Sequence, residues 1–399
     1  MRLSYLLCGS VLLAGAPLAA QSLKSDEILS TLAVRTLADA HPVLGSDNRV
    51  HLAYELIVTN PSKLFVTIDK VDAVDSAGKV LKSMSGTALA KMTTRFSGSD
   101  NLFGPGQTAI VFMDVSFPRG EAMPSGMMHR IGISRQSDQG GKPAAFPTGE
   151  PVGATASFTG APVTIGAPAR RIAAPLRGSG WVAANGCCDA ITSHRGAVIA
   201  VNGKQNAPER FAIDWVQLDK NRKIYFGDGS KVTDFAYYGV PIYSVADGTV
   251  VNTFDGLDEQ VPLKPAKGLT PAGIGGNMMV IDIGDGAYAF YAHMQRGSLK
   301  AKVGDKVTKG QVLGLLGNTG NTDAPHLHFH LMDGTIPLNS SGLPFVIDRF
   351  TSEGVLGDSG IDDLFDGKPV TINPQQRGDH VDQLPLNNEV SDFGPAPGR

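Results

Sequence analysis

Pro325-His326-Leu327-His328-Phe329-His330-Leu331 is the stretch on which the fold of this chain turns. Successive side chains of a β-strand point to opposite faces. His326, His328 and His330 therefore share one face, and Leu327, Phe329 and Leu331 share the other. The apolar face belongs to a core, and Pro325 suits a strand start. Three imidazoles in a row on the opposite face fit metal binding and proton transfer. Five of the nine histidines fall between residues 194 and 330, which places the chemistry in the second half of the chain.

Further short apolar runs surround this strand, at residues 198–201, 211–216, 242–245, 248–251, 278–283 and 288–293. Helical periodicity is nearly absent. Upstream, residues 31–135 alternate apolar and polar positions in runs such as 50–58, 64–68 and 108–115. Asn60-Pro61, Ser76-Ala77-Gly78 and Gly104-Pro105-Gly106 punctuate them as turns. With 48 glycines and 25 prolines in 399 residues, this predicts an all-β chain. An N-terminal immunoglobulin-like β-sandwich, a support or binding unit, is expected over residues 21–150. A linker rich in Ala, Gly, Pro and Thr follows at 151–175, then an antiparallel β-sheet domain at 176–350. Residues 351–399 carry nine acidic side chains against three basic and read as a disordered or loosely draped tail.

Hydrophobic residues at 42% and charged residues at 18% describe a chain able to fill a core. A net charge of −3 advertises no basic surface, so no nucleic-acid partner is expected. Arg2, the apolar residues 6–18 and the small pair Ala19-Ala20 read as a secretory signal peptide over residues 1–20. The expected location is periplasmic or extracellular, with no transmembrane segment after signal removal. Cys187 and Cys188 are the cysteines left after cleavage. Being adjacent, they form either a vicinal disulfide or two buried thiols.

The context of the histidine strand is specific. Val303-Gly304-Asp305-Lys306-Val307, Lys309-Gly310-Gln311-Val312-Leu313-Gly314 and Gly317-Asn318-Thr319-Gly320-Asn321 precede it. Upstream stand residues 239–250, Gly276-Asn277-Met278-Met279 and Tyr291-Ala292-His293. In this order and spacing they resemble the lysostaphin-like zinc metallopeptidases, whose domain cleaves peptidoglycan. The resemblance covers roughly residues 194–345 and leaves the N-terminal half untouched. It implies a lysostaphin-like antiparallel β-sheet domain, one Zn2+ per chain, and hydrolysis of peptidoglycan stem or cross-bridge peptides by a metal-activated water. Asp214 and His328 correspond to zinc ligands. His293 and His326 correspond to the pair that flanks the attacking water, one taking a proton and one steadying the oxyanion. Arg210, Asn277 and Tyr291 are assigned to substrate binding, with a neighbouring acid as the alternative partner of the Arg210 charge.

One departure matters. The family's remaining ligand is a His four residues before the Asp, with Gly midway; Arg210 and Ala212 stand there instead. Arginine stays protonated and cannot coordinate a cation. His194, sixteen residues ahead of Arg210, is the replacement ligand expected from a hairpin that brings it beside Asp214; the bland alternative is a loop-capping role. Two competing functions follow. One is a catalytically degenerate domain of the same fold that binds peptidoglycan or regulates another wall hydrolase. The other is a lipoyl- or biotinyl-type carrier, which leaves the histidine strand unexplained. Two long loops, residues 220–235 and 255–276, are candidate cleft walls.

Overall fold

The computed structural model describes residues 30–95, 102–145, 153–358 and 360–395. The expected signal peptide lies outside these. Strands dominate, and the α-helices among the described residues are two single short pieces, Gly86–Lys91 and Gly360–Phe365.

The first half builds two five-stranded antiparallel sheets. One orders Ala33–Thr36, Arg49–Thr59, Thr108–Pro118 and Thr93–Arg95, with Pro42–Leu44 also paired to Arg49–Thr59. The other orders Thr155–Val163, Met127–Gln136, Phe65–Val74 and Val80–Ser85, with Leu102–Phe103 on Phe65–Val74. Their inner faces share one core that includes Leu52, Tyr54, Leu56, Val66, Val71, Val111, Met113, Ile131 and Ile133. The Arg49–Thr59 strand is buried on both faces. Leu52, Tyr54, Leu56 and Val58 enter the sandwich core, while the alternate residues His51, Ala53 and Glu55 turn towards the second half of the chain. Val43 and Ala53 belong to the core of that second unit, so the two units are packed together.

The expected linker is not one. Thr155–Val163 pairs antiparallel with Met127–Gln136 as an edge strand of the sandwich, burying Phe158, Ala161 and Val163. A register shift between Gly160 and Val163 accommodates Pro162, which an edge strand tolerates because no partner needs its missing N–H. Arg170–Ile172 then pairs in parallel with Phe345–Ile347.

The second half is organised on a twelve-stranded antiparallel sheet. Its order is Lys306–Val307, Gly248–Phe254, Asn277–Asp282, Tyr288–Met294, Leu327–Met332, Ile213–Gln217, Trp181–Ala184, Glu389–Asp392, Phe350–Leu356 and Ile372–Asn373. Two short strands, Gly342–Leu343 and Gly378–His380, pair beside this path. The expected loose tail is therefore part of the sheet. Its acidic composition hid an alternation: Phe350, Ser352, Gly354 and Leu356 are buried, and the residues between them are not.

Candidate metal centre

The aspartate strand Ile213–Gln217 lies between Trp181–Ala184 and the histidine strand Leu327–Met332, which in turn pairs with Tyr288–Met294. Register places Asp214 opposite His328, and His328 opposite Ala292. Leu327, Phe329 and Leu331 enter the main core, so the alternation sends His326, His328 and His330 to the other face.

Asp214 is the hub of that face. Its Oδ1 lies 2.9 Å from His328 Nδ1 and 3.2 Å from His326 Nε2. Its Oδ2 lies 3.1 Å from His194 Nε2 and accepts from Asn185 Nδ2 at 2.8 Å. Burial opposes the carboxylate charge, but His194 and His326 outweigh it and hold the carboxyl well below the ordinary range.

His194 arrives on the loop before Ile199–Val201. Its Nδ1–H donates to the Ala212 carbonyl at 3.0 Å, which leaves Nε2 as the nitrogen offered to the site. Burial works against protonation of this ring; Asp214 and Glu209 overcome it and push the pKa up to about 9. His328 Nε2 is 2.9 Å from His330 Nδ1. His330 is held neutral, its pKa well below the ordinary value through burial and then through His328 and His194.

His293 and His326 form a contrasting pair with ring centroids 4.6 Å apart. His293 occupies a left-handed backbone conformation (φ 59°) and donates Nδ1–H to the Thr319 carbonyl at 2.7 Å. Burial first, then His326 and His328, push its pKa well below the ordinary value, so Nε2 is a free lone pair. His326 donates Nδ1–H to the Ala324 carbonyl at 2.8 Å. Burial opposes its charge, yet Asp214 raises its pKa. Two imidazoles pushed in opposite directions are suited to opposite proton-transfer roles.

These groups line a cavity of about 560 Å3. Pro265, Ala266, Ile274 and Gly275 of the 255–276 loop form part of its wall, together with Glu209 and Asp323. The 220–235 loop contributes none of the lining; Tyr225 from it donates to the Phe365 carbonyl at 3.0 Å instead.

The donor set fits a catalytic divalent cation. One ligand atom each from His194, Asp214 and His328 lies within 4.8 Å of the others. Two imidazoles and one carboxylate are a known three-ligand set for catalytic zinc. Each donor also has a partner that orients it: the Ala212 carbonyl for His194, His330 for His328 and Asn185 for Asp214.

The residues expected to bind substrate are elsewhere. Arg210 is 2% exposed and its guanidinium is occupied by Glu55 of the sandwich and by the Gly342 carbonyl. Asn277 is fully buried. Its amide donates to the Leu257 and Met294 carbonyls and its Oδ1 accepts from the Gly256 and Leu257 amides, so it ties loops together. Tyr291 is also fully buried, its hydroxyl accepting from the Val245 amide at 2.9 Å. One physical cause covers all three: each side chain is buried away from the cavity lining, its polar atoms turned to buried backbone or to a buried charge.

Asn185 was missed by sequence reasoning. Asn185-Gly186 signals a turn, and Asn185 takes the left-handed conformation (φ 57°), but nothing local reports its bond to Asp214. Cys187 and Cys188 are joined as a disulfide. His51, Asp114 and Cys188 also cluster closely, but both ring nitrogens of His51 already face the carboxylates of Asp114 and Asp47.

Part of this site lies in a region similar to known proteins. Residues 229–340 match the profile of Peptidase family M23. That span includes His293, His326, His328 and His330 and begins beyond His194, Arg210 and Asp214. The chain is 36% identical over 109 residues to the peptidoglycan DD-endopeptidase ShyA of Vibrio cholerae, covering 27% of this chain and 21% of that one. It is 32% identical over 119 residues to the glycyl-glycine endopeptidase ALE-1 of Staphylococcus capitis, covering 30% of this chain and 28% of that one. The chain thus spans little more than a fifth to a quarter of these curated relatives. Among solved structures, the catalytic domain of the antimicrobial peptidase lysostaphin from Staphylococcus simulans aligns at 20% identity and a TM-score of 0.23. It covers 41% of this chain and 86% of that one.

Proposed function

Residues 229–340 being a Peptidase family M23 domain, we propose that the chain is a zinc-dependent endopeptidase that hydrolyses peptide bonds of cell-wall peptidoglycan. The observation that carries this reading is the convergence of His194, Asp214 and His328 beside the oppositely poised pair His293 and His326. The two relatives are named as endopeptidases, one of them for peptidoglycan, which supports the substrate class.

His194 Nε2, Asp214 and His328 Nδ1 would hold the zinc, which when bound supplies Lewis acidity to a peptide carbonyl and to water. The remaining work belongs to the chain. With Nδ1–H committed to Thr319, His293 presents Nε2 as a general base that takes the proton of the attacking water. His326, whose Nδ1–H is given to the Ala324 carbonyl, turns Nε2 into the site, where its N–H would stabilise the developing oxyanion and supply a proton to the departing amine. Asp214 stays anionic throughout. The cavity, walled by the 255–276 loop, leaves room for an extended peptide.

An exported location fits this substrate. The signal-like residues 1–20 and the Cys187–Cys188 disulfide both favour an oxidising compartment. No helix among the described residues is long and apolar enough to cross a membrane.

The deciding experiment combines metal analysis of purified protein with digestion of isolated peptidoglycan, followed by mass spectrometry of the released peptides. About one zinc per chain and chelator-sensitive appearance of new amino termini are expected. Protein that loads zinc yet releases nothing from several wall types would favour the degenerate binding domain instead.

A further inference from the structure

His194 differs from the other candidate ligands in how it is held. Asp214 and His328 sit opposite each other on paired strands, so backbone register fixes them. His194 lies on a loop, and loops alone hold side chains less tightly than strands do. Its precision has to come from elsewhere.

Glu55 of the sandwich is fully buried and meets two buried arginines of the second unit. Arg210 grips both its oxygens, with Nη2 2.6 Å from Oε2 and Nε 3.0 Å from Oε1. Arg195 Nη1 donates to Oε1 at 2.8 Å, and its Nη2 donates to the sandwich carbonyl of Met113 at 3.2 Å. Both buried cations pair with this carboxylate, and a buried charge that loses its partner is strongly destabilised. Both arginines adjoin the metal site. Arg195 directly follows His194, and Arg210 stands two residues before Ala212, whose carbonyl fixes the His194 ring. From Arg195 a second path continues. Its amide donates to Thr192 Oγ1 at 3.2 Å, Thr192 donates to the Asn185 carbonyl at 2.9 Å, and Asn185 Nδ2 donates to Asp214.

We infer that Glu55 is a positioning residue for the metal centre: seating the N-terminal sandwich through Glu55 clamps the His194 loop and completes the ligand set. This rests on the reading of His194, Asp214 and His328 as the zinc site. It also accounts for Arg210. The position that would carry a ligand in similar domains here carries half of the docking clamp, and the ligand comes from the loop that the other half holds.

Two full-length variants test the clamp, Glu55→Gln at the carboxylate and Thr192→Val along the path to Asn185. Zinc affinity is measured by competition with a chromogenic chelator. Hydrogen exchange of the metal-free protein is followed over residues 192–196. The clamp predicts zinc binding about 10–100-fold weaker in both variants and faster exchange in this loop, with a cooperative melt retained at least by Thr192→Val. Wild-type protein that takes up no zinc would overturn the metal reading beneath the clamp. Wild-type uptake matched by unchanged affinity in Thr192→Val, and in Glu55→Gln where that variant folds, overturns the clamp alone.

Discussion

His194 Nε2 stands 3.1 Å from Asp214 Oδ2 while Nδ1 of the same ring donates to the Ala212 carbonyl. The backbone bond dictates which nitrogen faces the site, and among the described residues Asp214 is the partner of that nitrogen. His194→Ala should fold normally and weaken zinc by more than the roughly 10–100-fold typical of removing an outer-shell partner. Excess zinc should restore part of the activity. Unchanged affinity in a chelator competition would remove His194 from the ligand set.

His293→Ala and His326→Ala should behave differently, because neither ring belongs to the converging three-ligand group. Both variants are expected to retain most of their zinc while kcat falls roughly 10²–10⁴-fold, the usual contribution of a general acid or base. Paired metal content and peptide release by each variant check this. Full activity in either one would strip that residue of its proton-transfer role.

His330 offers a finer test of how His328 is oriented. A cation on His328 Nδ1 leaves the ring proton on Nε2, and His330 Nδ1 is 2.9 Å away to accept it. Replacing His330 with Phe removes the acceptor and should weaken zinc about 10–100-fold. His330→Gln, which keeps an acceptor oxygen, should recover much of that loss. Equal affinities for the two variants would mean that His330 only fills space.

The histidine strand and its partners were legible because strand alternation and local motif spacing are short-range properties. The shared face of His326 and His328 needed only a period of two, whereas Asp214 was indicated by the resemblance of the surrounding motifs. Arg210 was not legible as a docking residue because its partner, Glu55, lies 155 positions away on another sheet. Asn277 and Tyr291 looked like site residues from their neighbours in sequence, yet what their side chains satisfy is set by loops folding back over them. The linker and the tail failed for a related reason. Composition averages over both faces of a strand, so small, Pro-rich or acidic segments conceal a buried alternate row such as Phe158, Ala161 and Val163.

A buried alternate row also runs through the C-terminal segment and makes it testable. Phe350, Leu356, Leu364, Val370, Leu384 and Val390 are all buried, and Phe393 packs edge-on against Trp215 of the aspartate strand at 5.2 Å. Burying one large apolar side chain contributes about 1.5–3 kcal/mol, and a whole domain is stable by only about 5–15 kcal/mol. Truncation at residue 349 should therefore abolish cooperative unfolding and make the protein protease-sensitive. A truncated chain that melts like the full-length protein would show the segment to be dispensable.

His51 gives the pH dependence of stability a distinct source, away from the metal centre. It is 5% exposed, with Nδ1 3.0 Å from Asp114 and Nε2 3.2 Å from Asp47. Burial opposes its charge, but the two carboxylates prevail and raise its pKa from 6.5 to about 9. A group with a raised folded pKa stabilises fully below its unfolded value, and that contribution disappears as pH climbs through the folded value. The His51 contribution should therefore be complete below about pH 6.5 and lost by about pH 9.5, a change on the order of 1–3 kcal/mol. The carboxyl of Asp47 is shifted the other way, downwards against the effect of burial by its bond to His51. Its titration lies far below this window and leaves the window undisturbed. Thermal or urea unfolding of wild type and His51→Gln at pH 6, 7.5 and 9.5 isolates the effect, since other titrating groups are common to both. The stability difference between them should shrink steadily across the series; one that stayed constant would mean His51 is uncharged in the folded protein.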